Sequence, residues 1–225
     1  AESSRVMAQD ENGDIWMTHG YKGVFKLKLN QQLDSVTVRY YGTEKGLPSQ
    51  LVINVWEIDS RLVFTTESEV YTYQKKSDRF VKDDFFAQHF SPNTQISFLE
   101  QDALGNIYFL ARDEMGILEK RPNGVYEKKT QVFNRLKGLL NDDLQNLSVL
   151  NTNYVIYGAK EGFIIYNKSA DRMTEMPYQT LIRKVWLTLP TDSLISTGYF
   201  MKGEEVSTRQ TNPPKINYDN NSIRF

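Results

Sequence analysis

The 225-residue sequence contains no cysteine. Disulfide staples, zinc–thiolate sites, iron–sulfur clusters and a cysteine nucleophile are excluded together. A cysteine-free chain suits an oxidising periplasm and a cytosol alike, so this absence leaves the compartment open. Histidine is scarce: His19 and His89 are the only two, and they fall in distant segments. A metal centre wants three or more converging ligands, so no metal site and no histidine-based acid–base pair is expected. Neither sign of charge is in excess. Lysine and arginine number 27, aspartate and glutamate 28, and the formal charge is −1. That balance argues against a nucleic-acid binder working by phosphate neutralisation and removes the polybasic argument for anionic membranes. No apolar run approaches the roughly 18 residues that span a bilayer, and Ala1-Glu2-Ser3-Ser4-Arg5 has no hydrophobic signal core. Gly-x-Ser-x-Gly, phosphate-binding and dinucleotide fingerprints are missing too. The chain as given is therefore expected to be soluble. Its 40% hydrophobic and 24% charged residues are a globular balance rather than a disordered one.

What is present is a repeat. Val6-Met7-Ala8-Gln9 runs through Asp10-Glu11-Asn12-Gly13 into Ile15-Trp16-Met17-Thr18, and Gly23 introduces a third short strand, Val24 to Leu27. Asn-Gly favours a two-residue hairpin turn, because both residues tolerate positive φ. The same order recurs from Val52, from Ile96 and from Leu144. Trp16, Val63, Tyr108 and Ile156 hold equivalent places, a period of about 45 residues, which is the signature of a four-stranded propeller blade. Val36 to Tyr41 supplies a fourth strand in the first copy and Val125 to Lys129 in the third. Helix is expected only as single turns near Asp83 to Gln88 and Val132 to Leu140. A lone blade cannot cover both its faces, so neighbours must stack. Trp16, Phe64, Tyr108 and Tyr157 are expected to pack between them as core.

The copies read approximately as Gly-Leu-Pro, an apolar strand, Asp-x-x-Gly, apolar-Trp-apolar-Gly-Thr, and Gly-Leu-x-x-Tyr. This resembles the two-component regulator propeller repeat. The matches are Gly46-Leu47-Pro48, Asp10 with Gly13 and Trp16, Asp102 with Gly105, and Tyr157-Gly158 with Gly162-Phe163. The second copy departs most, with Ser60 for the turn glycine, Val63 for the tryptophan and Glu69 for the later glycine. From about residue 176 the pattern changes. Tyr178 to Leu189 alternates as one long strand, Pro190-Thr191-Asp192-Ser193 makes a turn, and Pro213 to Phe225 looks like the opening of the triple-tyrosine β-sandwich domain that follows such propellers. The expected fold is thus all-β: a partial β-propeller of about four four-stranded blades over 1–175, then the first strands of an immunoglobulin-like β-sandwich over 176–225.

The resemblance implies a fragment of the extracytoplasmic, periplasmic sensor of a hybrid two-component system, part of an inner-membrane histidine kinase when full length. It implies an oligosaccharide signal, a homodimer and no cofactor. If strands run A to D outward, the B–C loops lie at the end where propellers usually bind ligands. Tyr21, Lys22, Arg112 and Lys160 on those loops are the candidate ligand-binding residues, because sugars need flat apolar faces and bidentate polar groups. The carboxylate pairs Asp83-Asp84 and Asp142-Asp143 would suit glycoside hydrolysis only if two acids faced each other across a sugar ring. Adjacent residues do not, so no catalytic residue is assigned. A propeller polysaccharide lyase or hydrolase and a cytosolic protein-interaction propeller remain the alternatives.

Overall fold

In the computed structural model, which describes residues 4–136, 138–140, 145–173, 184–188, 191–197, 199–202, 205–208, 216 and 222–224, the repeats become antiparallel sheets in chain order. Sheet 1 holds β1 (Ser4–Gln9), β2 (Ile15–His19), β3 (Val24–Leu29) and β4 (Val36–Tyr41). Sheet 2 holds β5 (Asn54–Ile58), β6 (Arg61–Thr65), β7 (Val70–Gln74) and β8 (Arg79–Lys82), followed by the short helix α1 (Asp84–His89). Sheet 3 holds β9 (Ile96–Gln101), β10 (Ile107–Ala111), β11 (Met115–Lys120) and β12 (Tyr126–Lys129). Sheet 4 holds β13 (Leu147–Val149), β14 (Tyr154–Ala159) and β15 (Gly162–Asn167). In each sheet the strands pair in sequence order, so every connection is a hairpin. Four strands were expected in the fourth copy; among the described residues its sheet has three, and 3₁₀ turns follow at Lys168–Met173.

The chain divides into two compact units, Ala1–Thr174 and Glu175–Phe225. In the second, β16 (Lys184–Leu187) pairs antiparallel with β17 (Ser193–Thr197), and Pro190 of the turn expected over 190–193 lies outside the described residues. β18 (Tyr199–Lys202) pairs with β19 (Glu205–Thr208), and β20 (Ile223–Arg224) joins the other side of β16. Arg224 lies over the Trp186 ring and pairs with Asp192 at 2.7 Å. Of the long strand expected over Tyr178–Leu189, only Lys184–Leu187 falls within the described residues as strand.

Three apolar clusters lie between consecutive sheets of the first unit. Trp16, Val24 and Tyr41 of sheet 1 meet Val55, Phe64, Tyr71 and Phe80 of sheet 2. Val63 and Val70 of sheet 2 meet Leu99, Phe109 and Leu118 of sheet 3, with Phe86 and Phe90 of the α1 segment filling the rim. Tyr108, Leu110 and Ile117 of sheet 3 meet Leu147, Val155 and Tyr157 of sheet 4, with Phe133 at the rim. Trp16, Val63 and Tyr108 therefore play one role, since each points at the following sheet. Phe64, Phe109 and Tyr157 point at the preceding one, as period-2 alternation requires. β10 is buried at all five positions, and its run Ile-Tyr-Phe-Leu-Ala has no polar face to give to water. The terminal sheets keep one bare side. Met7 and Val38 on sheet 1 are 63% and 54% exposed, and Phe163 and Ile165 on sheet 4 are 77% and 61% exposed.

The hairpin turn expected at Asn12-Gly13 is corrected. Asp10 and Asp14 close the ladder through Asp10 N–H to Asp14 O, and only Gly13 takes positive φ, at 81°. The loop is thus three residues long, a type I turn followed by a left-handed glycine. Asp10 explains why. Its Oδ1 accepts the backbone N–H groups of Asn12 and Asp14, locking the wider turn. Asp102 does the same for Leu104 and Asn106, with Gly105 at φ 85°. The two-residue turn appears instead in the copy that departs most from the motif, where Asp59 and Ser60 sit at φ 50° and 57° with no glycine. Gly46 explains the Gly-Leu-Pro element. It ends the 3₁₀ turn Thr43–Lys45 at φ 96°, and a Cβ there would collide with the Phe80 carbonyl oxygen of sheet 2.

Ser60→Gly is expected to stabilise the chain by about 1 kcal/mol, since it relieves a left-handed serine. Gly46→Ala is expected to cost on the order of 2–3 kcal/mol through strain and collision together. Urea midpoints of the two variants should move in opposite directions; a shared direction contradicts this account of the turns.

Candidate functional site

The four residues singled out from the sequence all lie in β2–β3, β10–β11 and β14–β15 connections, at one topological end of the sheets. Tyr21 is 70% exposed, and its backbone N–H donates to His19 Nδ1 at 3.1 Å. Lys22, Arg112 and Lys160 are exposed. The backbone N–H of Arg112 donates to Gln95 O, and that of Lys160 to Leu139 O. At this end a shallow recess of about 60 Å³ opens between sheets 2 and 3, walled by Glu69, Lys82, Phe86 and Pro92. None of the four residues lines it. Their common placement follows from the strand order; a shared cavity does not.

The adjacent carboxylates at 83–84, to which no catalytic role is assigned, have two different roles. Asp83 is buried; its Oδ1 accepts the Phe86 N–H as the N-cap of α1, and its Oδ2 pairs with Arg61. Asp84 is exposed on the first turn of that helix. Asp142 and Asp143 lie outside the described residues. His89 ends α1 with a ring nitrogen 2.8 Å from Phe85 O.

The larger cleft, about 520 Å³, lies at the opposite end, between the β1–β2 turn of sheet 1 and the β5–β6 and β7–β8 turns of sheet 2. Sequence reasoning placed no ligand there. Its fixed wall starts at Asp10, whose Oδ2 accepts the Trp16 indole N–H at 2.9 Å and lies 3.0 Å from Lys26 Nζ. Lys26 also reaches Asp14 at 3.0 Å and sits over the Trp16 ring, 4.9 Å from its centroid. Burial works against the ionised Asp10, but the hydrogen bonds from Trp16 and Lys26 outweigh it and hold the carboxyl below its ordinary value. Burial likewise opposes the charge on Lys26, and its bonds to Asp14 and Asp10 raise the ammonium pKa above the ordinary one. The pairing of Asp10 with Trp16 was legible as a motif; the lysine on the neighbouring strand that completes it was not, because only the register Trp16↔Lys26 puts them side by side.

The facing wall carries Glu57, Leu62 and Tyr73. Tyr73 packs on Trp16 at 4.8 Å between ring centroids. Lys75 crosses the mouth, its Nζ donating to Asn12 Oδ1 at 3.2 Å. Outside the cleft, Asp78 clamps the two sheets. It accepts from Lys45 Nζ at 2.6 Å, Tyr73 Oη at 2.7 Å and Tyr41 Oη at 3.1 Å, and pairs with Arg39. The bonds from Lys45 and Tyr73 hold its carboxyl far below the usual range, while burial lifts the Tyr73 phenol well above its own.

Asp78→Asn is expected to cost about 2 kcal/mol near pH 7, the scale of charged hydrogen bonds lost at one group. The folded pKa values of Asp10 and Asp78 lie below the unfolded value of about 4, so their contribution is complete above that value. It erodes as the pH drops below it and is gone beneath the folded pKa values. Urea unfolding of the native chain and Asp78→Asn should differ most above about pH 5 and converge on acidification; a gap that widens at low pH contradicts the assignment.

No family model matches the sequence, and no curated protein matches it. Solved structures do resemble it. The extracellular domain of BT3049 from B. thetaiotaomicron, assigned to a hybrid two-component system, matches 98% of this chain at a TM-score of 0.52 and 14% identity. The extracellular domain of BT4673 from the same organism, assigned to a one-component system, matches 97% at a TM-score of 0.50 and 13% identity. The chain spans 28% and 32% of those two chains. At such identities the likeness shows the fold alone.

Proposed function

We propose that this chain is part of the extracytoplasmic, ligand-sensing region of a two-component sensor, and that its own work is binding rather than catalysis. The observation that supports this most is the match of nearly the whole chain to the extracellular domain of a hybrid two-component system. The sheet architecture agrees with it. Four sheets paired in sequence order, stacked face to face with β1, β5, β9 and β13 adjoining, support reading them as propeller blades, and the segment from about residue 176 is read as the start of the β-sandwich that follows. Among the described residues no helix is long and apolar enough to cross a membrane. An oligosaccharide is the proposed signal, and the kinase is proposed to lie elsewhere in the full protein. Signalling is proposed to work as a population shift, with ligand favouring one arrangement of a homodimer.

The functional test is genetic. Deleting the gene is expected to abolish the transcriptional response of the source organism to one class of oligosaccharide, and restoring it to bring the response back. An undiminished response to every glycan offered overturns the sensor reading. Shortening of a glycan by the purified chain overturns the non-catalytic one.

The bare faces carrying Met7 and Val38 on sheet 1 and Phe163 and Ile165 on sheet 4 make self-association the expected state of the isolated chain. Sedimentation equilibrium should show dimers or larger species that weaken when Phe163 and Ile165 are both replaced by Ser. A clean monomer at high concentration contradicts this.

A further inference from the structure

We propose that the cleft between sheets 1 and 2 is a binding site for an uncharged polyhydroxylated molecule, a short saccharide or polyol. The proposal rests on the sensor reading for its saccharide class; the cleft itself supplies the site and the preference for an uncharged form. Its volume of about 520 Å³ falls inside the roughly 300–1,000 Å³ range of small-molecule sites. Three acidic side chains, Asp10, Glu11 and Glu57, and three basic ones, Lys26, Arg61 and Lys75, line it; Lys26 is held by Asp10 and Asp14, Arg61 by Asp83, and Lys75 lies 4.0 Å from Glu11. An anionic ligand would meet the Glu57 carboxylate, which has no ion pair among the described residues, and a cationic one would meet the Lys75 ammonium at the mouth. A neutral polyol takes both as partners. Glu57 is an acceptor and receives hydroxyl protons, Lys75 is a donor and gives to hydroxyl oxygens, and such charge-assisted bonds are the stronger kind.

The same wall that carries Glu57 offers Leu62 and Tyr73, both partly exposed, as apolar surface for the C–H face of a sugar ring. The opposite wall is already rigid. Asp10 is saturated by two backbone N–H groups, the Trp16 indole and Lys26, so binding need not pay to order it. One wall belongs to sheet 1 and the other to sheet 2, and Lys75 ties them at the rim through Asn12. A ligand here bridges two sheets, which a recess within one sheet would not allow.

The test uses the whole chain and ligand-observed NMR with isothermal titration. The probes are neutral malto-, xylo- and galacto-oligosaccharides, their free monosaccharides, simple polyols, and charged galacturonate and glucosamine oligomers. At least one neutral probe is expected to bind, and the oligomer and monomer arms separate a chain end from a free sugar as its source. Glu57→Trp, which fills the cleft, and Glu57→Ala, which only removes the acceptor, are each expected to weaken binding at least about tenfold, on the scale of one charged hydrogen bond. Glu67→Ala, on the exposed β6–β7 connection at the other end of the sheets, should leave it unchanged. Circular dichroism confirms that each variant folds. Binding that survives Glu57→Trp, binding of charged probes alone, or binding of no neutral probe at millimolar concentration overturns the proposal. In each of those cases the sensor reading still stands or falls by the genetic test.

Discussion

Burial of apolar sheet faces against one another is the constraint on which everything else in the first unit rests. A twisted sheet buries little by itself. Stacking gives Trp16, Val63 and Tyr108 a following face to enter and Phe64, Phe109 and Tyr157 a preceding one. Full burial of one such aromatic is worth about 2–3 kcal/mol, and ring–ring geometry adds to it where Trp16 meets Phe64 edge-on at 5.4 Å. The polar contacts then fix what burial leaves free. Gln101 bonds both the backbone N–H and the carboxylate of Asp59, tying a turn of sheet 2 to the first strand of sheet 3. Glu100 accepts the Val149 N–H at 3.0 Å across the next interface. Burial raises the pKa of that glutamate, so the bond is held where water competes little.

Much of this is legible in the sequence, because the repeat is written in side-chain size. Successive apolar strands at a constant spacing announce equal sheets, and Asp-x-x-Gly announces a hairpin. The misjudged turn shows where local propensity stops. Asn12-Gly13 alone favours the short turn, but Asp10 two residues earlier accepts two backbone N–H groups and draws the loop out to three residues. Asp59-Ser60 has the weaker signal and adopts the short turn, because Ile58 and Arg61 are paired on either side and Gln101 of another sheet holds Asp59.

The site was less legible for a physical reason. A loop residue is chosen from sequence by its chemistry and its topological end, and Tyr21 and Arg112 do share one end of the sheets without sharing a cavity. Concavity is a property of how two sheets diverge, and no spacing records it. Glu57 reads in the sequence as the polar member of an alternating strand. It lines a cleft only because the β1–β2 turn of sheet 1 and the β5–β6 segment of sheet 2 stand on its two sides.

The two bare flanks have a further consequence for how the stack comes apart. Sheets 2 and 3 are covered on both sides, and sheets 1 and 4 on one. In a linear array coupled only through neighbours, opening starts at the ends and moves inward. Backbone amides should then trade hydrogen for deuterium in a graded order, with β14 and β3 early and β6 and β10 last. Such a gradient makes the first unit a zipper with two loose ends, and whatever spans sheets 1 and 2 would fasten one of them.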